Sequence, residues 1–371
     1  MNAAFPIAFL FTGGCALAAS MFAMQDQPIV HVAKGSSLRL SGHVPGPSLR
    51  VSGRQLVDPC GEPIVIRGVE DNVHSDVAEI AKSGANAIRF VYAMKPAELE
   101  ARIKSAVEHK MLVSFISPNG YRDTGWWNRP EIKAILVKYQ QWLLPHAYGE
   151  GAYSKNNARW LRETKKVITD LRGFGYKFPI EILADQWGQS LSTLLDHGAE
   201  LVAFDPEHNI LLGNQMYSEY HPDEATMGRI VASGLPIMVG TCTFRNPEKP
   251  SEGWYGAPLD QYQKVWRSTY DNRIGSFYWN WTTGGDALTT NGKCGNWTTP
   301  GKFICGSGPY SMPKVSKKTH WMVSGSCKEN GTWTSSDPSV ALVDDQGWVT
   351  GRSIGRTTIS HDGETTVVDV Y

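Results

Sequence analysis

The strongest constraint on the fold is a repeated order of short apolar run, loop, amphipathic segment and apolar run, clearest between Gly234 and Gly285. G-L-P-I-M-V-G-T-C-T has the pattern of a buried strand behind a turn. D-Q-Y-Q-K-V-W-R-S-T-Y-D sets Tyr262, Val265, Trp266 and Tyr270 at helical spacing, and G-S-F-Y-W-N-W alternates aromatics before a Gly pair. Strand, loop, helix, strand is the unit of a parallel α/β barrel. Upstream, Leu49 to Val69 reads as a hairpin leading into a buried strand. A helix over Val73–Ser83, a strand over Gly84–Tyr92, a helix over Pro96–His109 and a strand over Met111–Ile116 follow. Crossovers of this length join parallel neighbours rather than hairpin partners. Chemistry in such barrels sits where the strands end, so Thr241, Cys242, Trp279 and Trp281 are expected to face the mouth.

A chain of 371 residues with 41% hydrophobic content holds one large domain and a smaller one. Lys+Arg and Asp+Glu both number 36, which argues against nucleic acid or an anionic membrane as partner. Thirteen Trp and fourteen Tyr supply flat apolar faces of the kind on which sugar rings stack. The six cysteines, Cys15, Cys60, Cys242, Cys294, Cys305 and Cys327, match no zinc spacing, so neither a metal nor a cofactor is expected. Cys294 and Cys305 bracket G-N-W-T-T-P-G-K-F-I, and a bridge closing that loop suits an exported chain. Residues 1–26 are apolar and rich in small residues, with Ala16-Leu17-Ala18 as a cleavage motif and no Lys or Arg before Lys34. They read as an export signal without its basic start, or as a hydrophobic arm that packs on an assembly partner.

The order L-V-D-x-x-G-E-P-I-V-I-R-G-V, G-A-N-A-I-R-F, D-Q-W-G-Q, Gln215-Met216-Tyr217, G-L-P-I-M-V-G and W-N-W, spread over Leu49 to Pro309, is similar to the bacterial cellulase and mannanase branch of glycoside hydrolase family 5. The resemblance implies a (β/α)8 TIM barrel that cleaves β-linked glycans with retention, using a Glu acid/base after the fourth strand and a Glu nucleophile after the seventh. Carried over by residue, Arg89 matches the arginine that supports the nucleophile. Glu150, in Y-G-E-G, is the acid/base candidate without its preceding Asn, and Asn119 lies in the segment where the family has a histidine after strand three. Asp185 and Trp187 match strand five, Gln215 replaces a histidine, Tyr217 keeps a tyrosine, and Trp279 matches the platform beneath the reacting sugar. Trp126, Trp127, Trp254 and Trp281 are further candidates for stacking.

Strand seven departs from the family, reading Gly240-Thr241-Cys242 where the family has Gly-Glu-Phe. Retaining hydrolysis needs two carboxyl groups about 5–5.5 Å apart, and a threonine hydroxyl replaces neither. Three readings stay open. The barrel binds polysaccharide or a cell-surface glycan without cutting it. Alternatively it hydrolyses β-glycans by pairing Glu150 with Asp185, Glu219, Glu248 or Glu252 across an inverting gap of about 6.5–9.5 Å, by a nucleophile displaced from the aligned position, or through attack by Cys242. In the third reading it is a structural decoration protein.

After Pro309 the character changes. W-T-S-S-D-P-S-V-A-L-V-D-D-Q-G-W-V-T-G-R-S-I-G-R-T-T-I-S, from Trp333, resembles a bacterial immunoglobulin-like group 2 domain, and its alternation and turns independently predict short antiparallel strands. Gln27 to Val44 also alternates, around Lys34-Gly35. The expected organisation is a signal-like arm over 1–26, strands over 27–46 that complete the C-terminal sandwich, a barrel over 47–312 and the immunoglobulin-like domain over 313–371. The fold class is α/β with a small all-β sandwich. A cell-surface, secreted or virion location follows from the same resemblances.

Overall fold

A computed structural model describes residues 29–32, 34, 37–39, 49–58, 63–91, 94–117, 124–146, 157–217, 223–243, 259–284, 286–306, 312, 332–343, 348–361 and 364–370. After β1 (Ile29–Val32) and β2 (Ser37–Arg39), an antiparallel sheet forms from β3 (Arg50–Ser52), β4 (Gln55–Val57) and β5 (Pro63–Ile64). The β3–β4 turn passes through Gly53 at φ 56°, a left-handed value that glycine adopts without penalty.

Eight strands then alternate with helices: β6 (Arg67–Asp71), α1 (Val77–Ala81), β7 (Ala87–Phe90), α2 (Pro96–Glu108), β8 (Leu112–Ile116), α3 (Pro130–Tyr139), β9 (Leu143–His146), α4 (Asn157–Gly173), β10 (Ile180–Leu183), α5 (Leu191–Phe204), β11 (Ile210–Met216), α6 (Glu224–Ala232), β12 (Ile237–Cys242), α7 (Leu259–Asp271) and β13 (Ser276–Tyr278). Helix α8 (Thr299–Cys305) comes last. The eight strands close into a barrel, with β13 parallel to β6 through Phe277 opposite Gly68. This is a (β/α)8 TIM barrel. Local chemistry starts several helices where they begin. The Asp76 carboxylate accepts from Ala78 N before α1, Asp223 accepts from Thr226 N before α6, and Pro stands in the first turn of α2, α3 and α8.

Alternation along each strand sorts the core into two parts. Val69, Ile88, Val113, Phe115, Ile180, Ile182, Leu212, Val239 and Tyr278 face outward into the shell beneath the helices. Ala87, Leu112, Leu144, Leu211, Met238 and Phe277 fill the barrel interior, where Leu49, Leu56 and Ile64 of the small sheet join them. A Cβ on Gly68 would overlap the Phe277 ring, so only glycine lets that ring lie flat across the interior. No helix among the described residues is long and apolar enough to cross a membrane.

The chain divides into two compact units, one spanning Leu38–Lys328 and one made from both ends, up to Ser37 and from Glu329. The second contains β14 (Thr334–Ser335), β15 (Ala341–Val343), β16 (Trp348–Gly351), β17 (Gly355–His361) and β18 (Glu364–Val370). One sheet runs β1-β18-β17-β14 and the other β15-β16-β2, an immunoglobulin-like all-β arrangement. In the first sheet β1 lies parallel to β18, from Ile29 opposite Val367 to Val32 opposite Val370. Ile359, Val368 and Val370 of this sheet and Ala341 and Val349 of the other are among the unit's buried apolar residues. Deleting residues 25–45 removes β1 and β2 and leaves β18 with a bare edge. The expected outcome is loss of amide-exchange protection in β18 and an earlier melting transition for the C-terminal unit, measured by hydrogen exchange and calorimetry.

Candidate functional site

Toward the C-terminal ends of the strands the barrel interior changes from apolar to polar. Glu70 on β6, Arg89 on β7, Ser114 on β8, His146 on β9, Glu181 on β10, Gln215 on β11 and Thr241 on β12 are all buried. Thr241 reaches this layer through a bulge. Asn214 pairs with Val239 but Gln215 pairs with Thr241, which leaves Gly240 as the extra residue.

Arg89 sits at the centre of the layer. Its Nη2 donates to Glu181 Oε1 and Oε2 at 2.5 and 2.6 Å, its Nη1 to Glu70 Oε1 at 2.9 Å and to the Gly240 carbonyl, and its Nε to Ser114 Oγ at 3.1 Å. The Phe277 ring lies 4.0 Å below the guanidinium carbon. A buried charge persists only when it is paired and its hydrogen bonds are met, and Arg89 meets both conditions. Burial opposes its charge, yet the Glu181 and Glu70 carboxylates outweigh burial and raise its pKa. Burial raises the Glu181 carboxyl against the pull of Arg89 and of the Ser114 hydroxyl. Thr241 Oγ1 donates to Glu70 Oε1 at 2.5 Å.

His146 ends the barrel's fourth strand beside Glu181 in register. Neither of its ring nitrogens has a hydrogen-bond partner among the described residues. Burial, and then the Arg89 charge, hold its pKa well below the usual imidazole value, so the ring is neutral. Beyond the layer, Thr243 Oγ1 donates at 2.8 Å to Asp286, whose carboxyl burial pushes up to about 6.

The rim carries the exposed aromatics. Asp185, fully buried, accepts from Gln186 N at 2.8 Å. Gln186, Trp187 and Gly188 are all left-handed, at φ 56°, 54° and 80°. Two consecutive non-glycine residues in that region are strained, and such strain clusters at functional sites. The Gly188 carbonyl accepts from Gln215 N at 2.7 Å and Asn214 Nδ2 at 3.0 Å, tying this turn to β11. The result holds Trp187 out at 43% exposure, with Tyr217 OH donating to its carbonyl at 3.4 Å. Trp279, partly exposed, follows β13 and donates its backbone N–H to Cys242 O at 3.0 Å.

Several expected site residues lie elsewhere. Trp126 and Trp127 are buried edge to face against each other, 4.8 Å between ring centres, and against Phe115, so they offer no face for stacking. Trp281 is fully buried, donating from its indole nitrogen to Gly292 O and meeting Trp297 edge-on. Cys242 points outward into the helix-facing shell, where burial pushes its thiol pKa up, the opposite of what a nucleophile needs. Cys294 and Cys305 are free thiols. Hydrogen bonds tie the segment between them to its surroundings, Cys294 N to Glu79 Oε2 at 2.9 Å and Thr298 N to Leu288 O at 3.0 Å. Asn119, Glu150, Glu219, Glu248, Glu252 and Trp254 lie outside the described residues. Sequence reasoning missed Glu70, Glu181 and His146. The signal for the first two was a charge inside an apolar run, I-V-I-R-G-V-E and P-I-E-I-L.

The bacterial immunoglobulin-like domain (group 2) profile matches residues 315–364. For the barrel, the chain is 27% identical over 155 residues to a β-mannanase/endoglucanase A of Caldicellulosiruptor saccharolyticus, covering 41% of this chain and 11% of that protein. It is 23% identical over 320 residues to a mannan endo-1,4-β-mannosidase of Cellvibrio japonicus, covering 77% of this chain and 72% of the relative. A crystal structure of the β-mannanase from Streptomyces thermolilacinus with mannohexaose superposes with a TM-score of 0.64 at 19% identity, over 74% of this chain and 98% of that one. At that identity the likeness is one of fold. Homologues and structural neighbours of the barrel are thus of the mannanase and cellulase kind.

Replacing Arg89 by Met leaves two buried carboxylates without their cation, and urea unfolding should show a loss of about 3–5 kcal/mol. His146 makes a separate prediction. Its folded pKa lies below its unfolded one, so the unfolded chain binds more protons, and its contribution is complete above about pH 6.5 and lost as the pH falls below that. The raised carboxyls of Glu181 and Asp286 act with the opposite sign, so the test is a difference. Stability of the wild type minus that of His146→Gln, followed from pH 7.5 to pH 5, should decline on acidification.

Proposed function

We propose that the barrel binds a neutral β-linked polysaccharide, a mannan or a related glucan, without hydrolysing it. The observation that carries this reading is Thr241. The strand-seven position that faces the interior holds a hydroxyl, and its one hydrogen is given to Glu70. Retaining chemistry needs a carboxylate free to attack and an acid across from it. Glu70 and Glu181 are buried and held by Arg89, which favours a structural duty for both. Trp187, Tyr217 and Trp279 at the rim suit stacking and hydrogen bonding to a sugar chain. The choice of mannan rests on the names of the relatives. The immunoglobulin-like unit would display the barrel on a bacterial surface or a virion, outside the cell.

The competing reading is hydrolysis by Glu150 with a second carboxylate, and the presence of Glu70 and Glu181 at the same barrel end speaks for it. Calorimetric titration with mannohexaose and with soluble mannan and glucan, run beside a reducing-sugar assay, separates the two. Binding without released ends is expected, with Trp187→Ala weakening it by about tenfold, roughly 1.4 kcal/mol. Reducing ends that appear with wild type and vanish with Glu150→Gln would establish the hydrolase instead.

A further inference from the structure

We propose that Glu70 sets the charge of the polar layer: from β6 it takes the carboxylate place on Arg89 that faces β12, and so excludes any carboxylate from position 241. Arg89 has five N–H donors. Two go to Glu181, one to Ser114, one to Glu70 and one to the Gly240 carbonyl. None is left for a third acid. Thr241 Oγ1 approaches Nη1 only at 3.5 Å, while it lies 2.5 Å from Glu70 Oε1. An ionised carboxylate only accepts, so the threonine hydroxyl must be the donor in that contact. A glutamate at 241 would bring an acceptor against an acceptor, and a negative charge against a negative charge, in a water-excluded interior.

Among the described residues nothing else around the layer offers relief. His146 on β9 is neutral, Gln215 on β11 is an amide, and Ser114 on β8 already serves Arg89 and Glu181. Asp185, which follows β10, is a further acid, and Asp286 is bonded to Thr243. On β13 the inward groups are Phe277 and, past the strand, Trp279. Glu70 and a carboxylate at 241 are therefore alternatives. A single substitution at 241 cannot bring an acid into this position at neutral pH unless Glu70 is neutralised with it.

The test compares wild type with Thr241→Glu, Thr241→Gln and the double variant Thr241→Glu/Glu70→Gln by thermal melting between pH 7.5 and pH 4. Gln has the size of Glu without its charge, so it reports the cost of bulk alone. At pH 7.5 Thr241→Glu should melt roughly 10 °C below Thr241→Gln. That gap should close as the pH falls and the added acid takes up a proton, and Glu70→Gln should restore most of it at pH 7.5. Equal melting of the Glu and Gln variants at pH 7.5 would overturn the proposal. So would a gap that does not change with pH, since bulk has no pH dependence. If the double variant does not fold, the comparison of Glu with Gln at 241 still decides. None of these readouts involves a glycan, so failure here is distinct from failure to bind mannan.

Discussion

A guanidinium placed inside a barrel of apolar side chains is the constraint to which the rest of the interior answers. Left alone, the Arg89 charge would be prohibitively costly at that depth. Glu181 meets it in a forked pair from β10, Glu70 from β6, and the bulge in β12 turns the Gly240 carbonyl toward it. Beneath it, Phe277 presents its ring face only because Gly68 has no side chain. On the neighbouring strand β11 a Cβ at Gly213 would stand 2.8 Å from Glu181 Oε1, so that glycine makes room for the carboxylate. Five strands thus bear marks of one cation.

This economy separates two regions that one barrel end usually combines. The centre of the polar layer is saturated: all five Arg89 donors are spent on Glu181, Glu70, Ser114 and the Gly240 carbonyl, while His146 at its edge bonds to nothing among the described residues. Groups with unspent surface stand above it, on the Gln186-Trp187-Gly188 turn and after β11 and β13. Asp185 belongs to the support of that turn, since its carboxylate holds the chain where the left-handed residues begin. Under the proposed binding function, specificity would rest on the rim aromatics rather than on acids.

Much of the barrel was legible in the chain because its strands are bounded by turns and its helices carry spaced apolar residues. The helix expected over Pro96–His109 is found at Pro96–Glu108, and the strand expected over Met111–Ile116 at Leu112–Ile116. Side-chain direction was less legible. A run such as G-T-C-T does not say which residue faces inward, and the bulge at Gly240 turned Thr241 in and Cys242 out. Aromatic residues were the other difficulty, because composition cannot tell a sugar platform from a core ring. Trp126 and Trp281 proved to be core, while Trp187 stands exposed. Glu70 and Glu181 were hidden because an acid in an apolar run does not name its partner, and only the closed ring brings strands one, two and five to a common centre.

The parallel pairing of β1 with β18 has a meaning for biosynthesis. A ribosome making the chain releases β1 more than three hundred residues before its partner exists. At roughly 5–20 residues per second that is a wait of some tens of seconds. During that interval the barrel can complete itself, while the first strand stays unmatched near the nascent end. The small sandwich therefore closes only after every strand of the barrel has been made.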